Sequence, residues 1–449
     1  LPANAPSLAP QLARRLGWFD ATMLVMGGII GAGIFINPYV VAEQVHTPAL
    51  ILGAWAAGGA LAMLGAFIYA ELAQRMPEVG GQYAYIRAAY HPLLAFLYGW
   101  VLLLVIQTGG MAAVTITFAR YFAELTASHA PEWLIGIVAL GALTVVNCLG
   151  VRSGGTVQSA LMVLKIVAIG AFIVIGLAYV PTHAPLPRTL AGQPANAGMV
   201  SAFGAAMVPV LFAYGGWQTA NFVAGELKNP ERDLARGLLL GVAGVVVIYL
   251  AVNFVCLRAL GPGALAATHT PASAVMRIAD QRLASRAVSA TRFLDLAITI
   301  SALGFLSQSI LTAPRVYFAM ADDGLLFRQI AWVHPATRVP VFAIVLQSLW
   351  TMVIVLTGTF EQILNYVVSM DFLFFGISAS CLFVWRRRGF GRPAMRVPGH
   401  PVTTLLFCAA CAFIVLNTIY RYPANTLIGV GILLSGIPIF YLWKRQPTT

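Results

Sequence analysis

Long apolar stretches, rather than alternating ones, pattern this chain from end to end. Twelve runs of mostly apolar residues follow one another at 18–43, 48–73, 92–122, 133–149, 156–180, 199–226, 235–259, 292–320, 340–358, 360–385, 402–420 and 425–443. A helix needs about 20 such residues to cross the hydrocarbon of a bilayer. Inside lipid every backbone polar group must be paired, so only helices and closed barrels span it. A barrel strand alternates apolar and polar positions, and these runs do not. The pattern predicts an all-α polytopic membrane protein with twelve transmembrane helices. Polar intervals between the runs are short. The exception, 260–291, carries an amphipathic stretch (Ala274, Val275, Met276, Ile278, Ala279) that predicts a short helical cap on the outer face.

Composition sharpens this picture. Of 449 residues, 59% are apolar and 9% charged, with a mean hydropathy of +0.83. Soluble domains carry about 25% charged residues; a chain with so few could not cover a water-facing surface. The net charge of +12 does not form a nucleic-acid face, because the cations sit in small clusters between apolar runs. With the N-terminus in the cytoplasm, 19 lysines and arginines fall inside and 8 outside. Positive residues favour cytoplasmic loops, so both termini are expected in the cytoplasm. The first apolar run is long enough to span, which argues against a cleavable signal. Cys148, Cys256, Cys381, Cys408 and Cys411 lie in or beside apolar runs without zinc spacing. No phosphate loop, metalloprotease helix or serine elbow occurs, and the seven histidines do not pair at ligand spacing. Neither enzymatic activity nor a cofactor or metal is expected.

Two spans are interrupted by glycine. The first reads Gly27-Gly28-Ile29-Ile30-Gly31-Ala32-Gly33-Ile34-Phe35, and the sixth Phe212-Ala213-Tyr214-Gly215-Gly216-Trp217. Glycine costs a helix about 1 kcal/mol relative to alanine. Such clusters serve either close helix packing or local unwinding. Their place in the first and sixth of twelve spans matches a five-plus-five inverted repeat, in which these two helices break. The expected organisation is an N-terminal segment 1–17, a first repeat 18–180, a second repeat 199–385, and two further helices in 402–443. An unwound Gly-Ala-Gly exposes amides at the start of a half-helix, which suit a carboxylate. Carbonyls at the end of the other half-helix suit an ammonium group. Facing breaks would bind a zwitterion without any charged side chain.

Two charges interrupt apolar runs elsewhere. Lys165 lies in Ala160–Ala168, and Asp371 in Val368–Leu373. Intramembrane charges are expensive and are functional candidates. Lys165 could instead snorkel to the cytoplasmic edge or exchange a proton. Asp371 could face the substrate path, carry a proton, or make a structural hydrogen bond.

The motifs also carry a family resemblance. Gly31-Ala32-Gly33-Ile34-Phe35 resembles the Gly-Ser-Gly-Ile-Phe motif of L-type transporters in the amino acid/polyamine/organocation superfamily, with Ala32 in place of serine. Residues 212–217, Asn221-Phe222-Val223 and Glu226–Arg232 are similar to the same branch. So are Gly80–Tyr85, Ala321–Leu326 and Leu434–Pro438. The matches run the length of the chain in order. The resemblance implies a LeuT-like fold and a sodium-independent carrier of neutral L-amino acids, exchanging or proton-coupled. A carrier of cationic amino acids or polyamines is the alternative, and a membrane-embedded enzyme or channel a remote one, for which no cluster of reactive groups, repeated pore motif or ring of like charges is found. It implies that Ile29, Gly31, Ala32 and Gly33 hold the substrate carboxylate and that Phe212, Ala213 and Gly215 hold the amino group. Phe212 would gate the site, and Tyr214 and Trp217 would wall it. Lys165 would replace sodium and tie the first break to the eighth span near Ser307 or Ser309. Bulky aromatics, with Gln218 and Asp371 near the substrate side chain, point to small or medium substrates such as alanine, serine or valine. An ionised Asp371 in the pocket would instead favour lysine, arginine or a polyamine. Animal members are disulfide-linked to a glycoprotein through a cysteine after the third span. The segment from Tyr121 to Trp133 has none, so the chain is expected to work alone in a prokaryotic plasma membrane, as a monomer or weak homo-oligomer.

Overall fold

Local chemistry sets where the helices start. Thr47 caps its helix by accepting a hydrogen bond from the Leu50 amide (3.4 Å), and proline fills the first turn, where its missing N–H is no loss. The same use of proline opens the helices at Pro92, Pro230 and Pro314. The computed structural model describes residues 17–31, 33–78, 80–149, 154–181, 197–283, 289–335, 337, 339–358 and 360–444. The first four α-helices are α1 (Trp18–Ile29), α2 (Gly33–Val45), α3 (Pro48–Arg75) and α4 (Gln82–Ala89). Then come α5 (Pro92–Val101), α6 (Gln107–Thr126), α7 (Glu132–Cys148), α8 (Gly154–Tyr179) and α9 (Ala197–Tyr214). The remainder are α10 (Pro230–Ala266), α11 (Pro271–Leu283), α12 (Ala290–Thr312), α13 (Pro314–Asp322), α14 (Val341–Thr357), α15 (Phe360–Arg387), α16 (Val402–Arg421) and α17 (Pro423–Lys444). A π-helical turn, Leu102–Ile106, joins α5 to α6, and a 3-10 helix, Trp217–Glu226, follows α9.

Among the described residues, eight helices are long and apolar enough to cross a membrane. The pair α1 and α2, bent by 43°, makes a ninth. Three more of the apolar runs, at Glu132–Cys148, Gly198–Tyr214 and Val341–Thr357, form helices of at most 17 residues. At 1.5 Å per residue each covers about 25 Å, short of a roughly 30 Å hydrocarbon core. The apolar segment 199–226 is not one helix: it changes to 3-10 geometry after residue 214. The interval 260–291 contains α11, whose Ala272, Val275, Met276 and Ala279 are buried. The N-terminal segment 1–16 lies outside the described residues.

The core forms where small residues let helices approach, the common device in lipid. On α10, Gly237 and Gly241 seat Ala21 and Val25 of α1; on α3, Gly59 seats Val246 of α10. Helices α16 and α17 instead turn leucines such as Leu405, Leu416 and Leu427 outward, as a lipid-facing surface requires. At one end of α3, Glu71 is fully buried. Its carboxylate accepts from Arg75 (2.8 Å), from Arg386 Nε of α15 (3.0 Å) and from the Val397 amide (2.7 Å). Gln74 beside it accepts from the Met395 amide at 2.8 Å. The linker between α15 and α16 is thereby clamped onto α3. Nearby, Tyr83 of α4 donates to Asp323 (2.6 Å), which also pairs with Arg87. Burial and the Asp323 charge both push the Tyr83 phenol upward; burial opposes, and Asp323 outweighs it, in raising Arg87.

Candidate functional site

The two glycine-rich breaks meet. Gly216 has φ +103°, a left-handed conformation that only glycine adopts freely, and a Cβ there would strike the Gly28 carbonyl. A Cβ on Gly28 would lie 2.6 Å from the Gly216 carbonyl. Main chain therefore packs on main chain. Tyr249 of α10, fully buried, hydrogen-bonds both breaks at once: its hydroxyl lies 3.0 Å from the Ile29 carbonyl and 3.1 Å from that of Ala213. The hydroxyl has one proton to donate, so the two carbonyls share it. Asn37 of α2 adds a bond to the Pro209 carbonyl of α9 (2.6 Å).

A cavity of about 750 Å³, counted with its open side, lies against these breaks. Gly28, Ile29, Gly31 and Gly33 line it from one span, and Phe212, Ala213, Gly215, Gly216 and Gln218 from the other. Gly33 begins α2, so the first-turn amides of that helix have no intrahelical carbonyl to bond. At the other break, Phe212 accepts from the Gly215 amide (3.1 Å), and Gln218 Oε1 accepts from the Gly216 amide (3.0 Å). Ala32 lies outside the described residues.

Tyr214 and Trp217 are not in the wall of this cavity. Tyr214 turns toward Trp55 and Tyr249, with centroids 5.9 and 5.0 Å away. Trp217 meets Tyr69 at 4.7 Å and stacks on Phe375 at 5.1 Å. Both line a smaller neighbouring cavity with Leu61 and Phe407. Tyr214 closes α9, and Trp217 opens the 3-10 helix that follows Gly216.

Lys165 is buried, and its ammonium donates to the Ile30 carbonyl at the break (2.6 Å). Among the described residues no hydrogen bond joins it to Ser307 or Ser309. Ser307 instead lies 3.5 Å from the Asn147 amide nitrogen, and Ser309 lines the cavity. The side chain that ties α12 to α1 is Gln308, donating to the Leu24 carbonyl at 3.0 Å. Asp371 lines the cavity with Val367, Val368 and Phe372, one face of α15. Sequence reasoning passed over Tyr249, Gln308 and Gln107, which also lines the cavity. The available signal was a polar group inside a long apolar run, which must find a partner or a cavity in lipid.

A helical membrane protein whose broken spans face one another across a central cavity has the architecture of a secondary transporter. Comparison with known proteins agrees. The sequence profile of the amino acid permease family (AA_permease_2) matches residues 16–442. The serine/threonine exchanger SteT of Bacillus subtilis (strain 168) is 30% identical, covering 97% of this chain and 98% of its own. The large neutral amino acids transporter small subunit 2 of Mus musculus is 28% identical over 97% of this chain and 82% of its own. The human cystine/glutamate transporter is 27% identical over 97% and 87%. The chain belongs to the amino acid permease family; it is a secondary transporter of amino acids and not an enzyme.

Proposed function

We propose that this chain exchanges neutral L-amino acids across a membrane, holding the substrate zwitterion on the main chain of its two broken helices. The observation that carries this is the meeting of the breaks under Tyr249, which puts the first turn of α2 and the carbonyl end of α9 on one cavity. Exchange is favoured by the name of the Bacillus subtilis relative, a serine/threonine exchanger. The broken helices are the first and sixth of twelve spans in a five-plus-five inverted repeat. Both termini face the cytoplasm, following the excess of lysine and arginine on that side. Lys165 takes the place of a coupling cation at the first break, which makes transport independent of sodium. The chain works without a disulfide-linked partner, like the prokaryotic members of the L-type branch, since the segment from Tyr121 to Trp133 holds no cysteine.

Reconstituted proteoliposomes test this. Labelled alanine should enter rapidly when amino acid is present inside and slowly when it is absent, equally in sodium and in potassium media. Uptake that needs a sodium gradient, or that appears only with a second subunit, overturns the reading.

A further inference from the structure

One carboxylate in the cavity wall has no counterpart. Asp371 is 8% exposed, and its Oδ1 accepts no hydrogen bond among the described residues. No lysine, arginine or histidine forms an ion pair with it there. An ionised carboxylate in a low-dielectric site is costly unless a cation or several donors compensate it. The α15 face shared with Val367, Val368 and Phe372 directs it into the cavity, where a cation carried by the substrate would compensate it.

A second acceptor stands nearby. Gln107 of α6 is 7% exposed and lines the same cavity, and its side-chain amide makes no hydrogen bond among the described residues. It directly follows the π-helical turn Leu102–Ile106; such turns recur at functional sites because they re-aim the next side chains. Helices α6 and α15 pack tightly here: a Cβ on Gly109 would strike Val367. Around these two polar groups the wall is apolar, with Ile106, Val114 and Val367. Apolar walls leading to an acceptor pair suit an aliphatic stem with a cationic head.

We propose that the space between α6 and α15 receives the side chain of a cationic amino acid, with Asp371 as its counter-charge and Gln107 as a second acceptor. The inference rests on the zwitterion reading of the breaks and widens its substrates from neutral amino acids to cationic ones. The main-chain receptor takes any α-amino acid, and Asp371 makes those with an ammonium or guanidinium side chain the tighter substrates. A zwitterion brings no net charge to Asp371; lysine or arginine brings one.

Competition against labelled alanine in proteoliposomes tests this with arginine and citrulline, which have nearly the same shape and differ in the side-chain charge. A hydrogen-bonded charge is worth enough that arginine should compete at about tenfold lower concentration or better. Asp371→Asn should bring the two within about twofold, while Asp371→Glu retains arginine's advantage. Citrulline equal to arginine in the wild type overturns the proposal without any variant, and spares the main-chain reading if alanine is still carried. An advantage that survives Asp371→Asn also overturns it. Agmatine, which is arginine without its carboxylate, should compete poorly. Agmatine equal to arginine would remove the zwitterion basis on which the proposal rests.

Discussion

Lys165 and Tyr249 each donate to a carbonyl at the end of α1, Ile30 for the first and Ile29, which also accepts from the Gly31 amide, for the second. A buried carbonyl stripped of its donor costs about 1–3 kcal/mol, and here the cost falls on the break that binds substrate. Lys165→Ala should therefore nearly abolish exchange, measured as the initial rate of labelled alanine uptake; a fully active variant would refute the role. Tyr249→Phe is a gentler test. It keeps the ring against Trp55 and Tyr214 and removes only the shared hydroxyl. A tenfold or larger loss of rate is expected, of order 1.4 kcal/mol or more, with little change in thermal stability. Unchanged transport would show that the breaks do not need this tie.

At the scale of elements, the all-α membrane architecture and its two interruptions were legible in the sequence because lipid allows few alternatives, while only eight of the twelve expected spans, or nine with the bent pair, are long and apolar enough to cross among the described residues. A run of apolar residues has to be a helix, and glycine clusters mark where a helix can open. What the breaks pack against was not legible. Trp217 follows Gly216 directly in sequence, yet the 3-10 turn carries it to Tyr69 and Phe375. Tyr249 and Gln107 were polar residues within apolar runs, and only their neighbours in space give them a role. The same packing predicts different outcomes at two left-handed glycines. Gly216 faces the main chain of α1, while a Cβ at Gly261, φ +72°, would meet nothing within 4 Å. Gly261→Ala should cost about 1–3 kcal/mol for conformation alone. Gly216→Ala adds a clash that nothing can absorb, and should eliminate transport or folded protein. Thermal unfolding in detergent with the transport assay separates them; equal behaviour would contradict the packing.

Across the whole molecule, the clamp at Glu71 joins three segments distant in sequence: α3, α15 and the linker to α16. Since α15 carries Asp371 and α3 packs on α10, the clamp lies far from the cavity but holds its wall. Arg386→Gln would leave Glu71 with Arg75 as its remaining cation. The loss should be smaller than the roughly 3–5 kcal/mol of removing a sole buried partner. A lower unfolding temperature with reduced but measurable exchange is expected, and Glu71→Gln should lower it further. An unchanged unfolding temperature in both would show that the clamp is not structural.

The contact between Gly28 and Gly216 has an evolutionary consequence. When a side chain is too large for its pocket, a second mutation that shrinks a neighbour can restore the fit. Here each glycine is opposed by peptide backbone, and backbone cannot be trimmed by mutation. In a saturating library selected for amino acid uptake, both positions should keep glycine alone, and compensating changes at neighbouring side chains should not recover their variants. The pair would stay fixed while the walls of the cavity, made of side chains, remain free to drift toward new substrates.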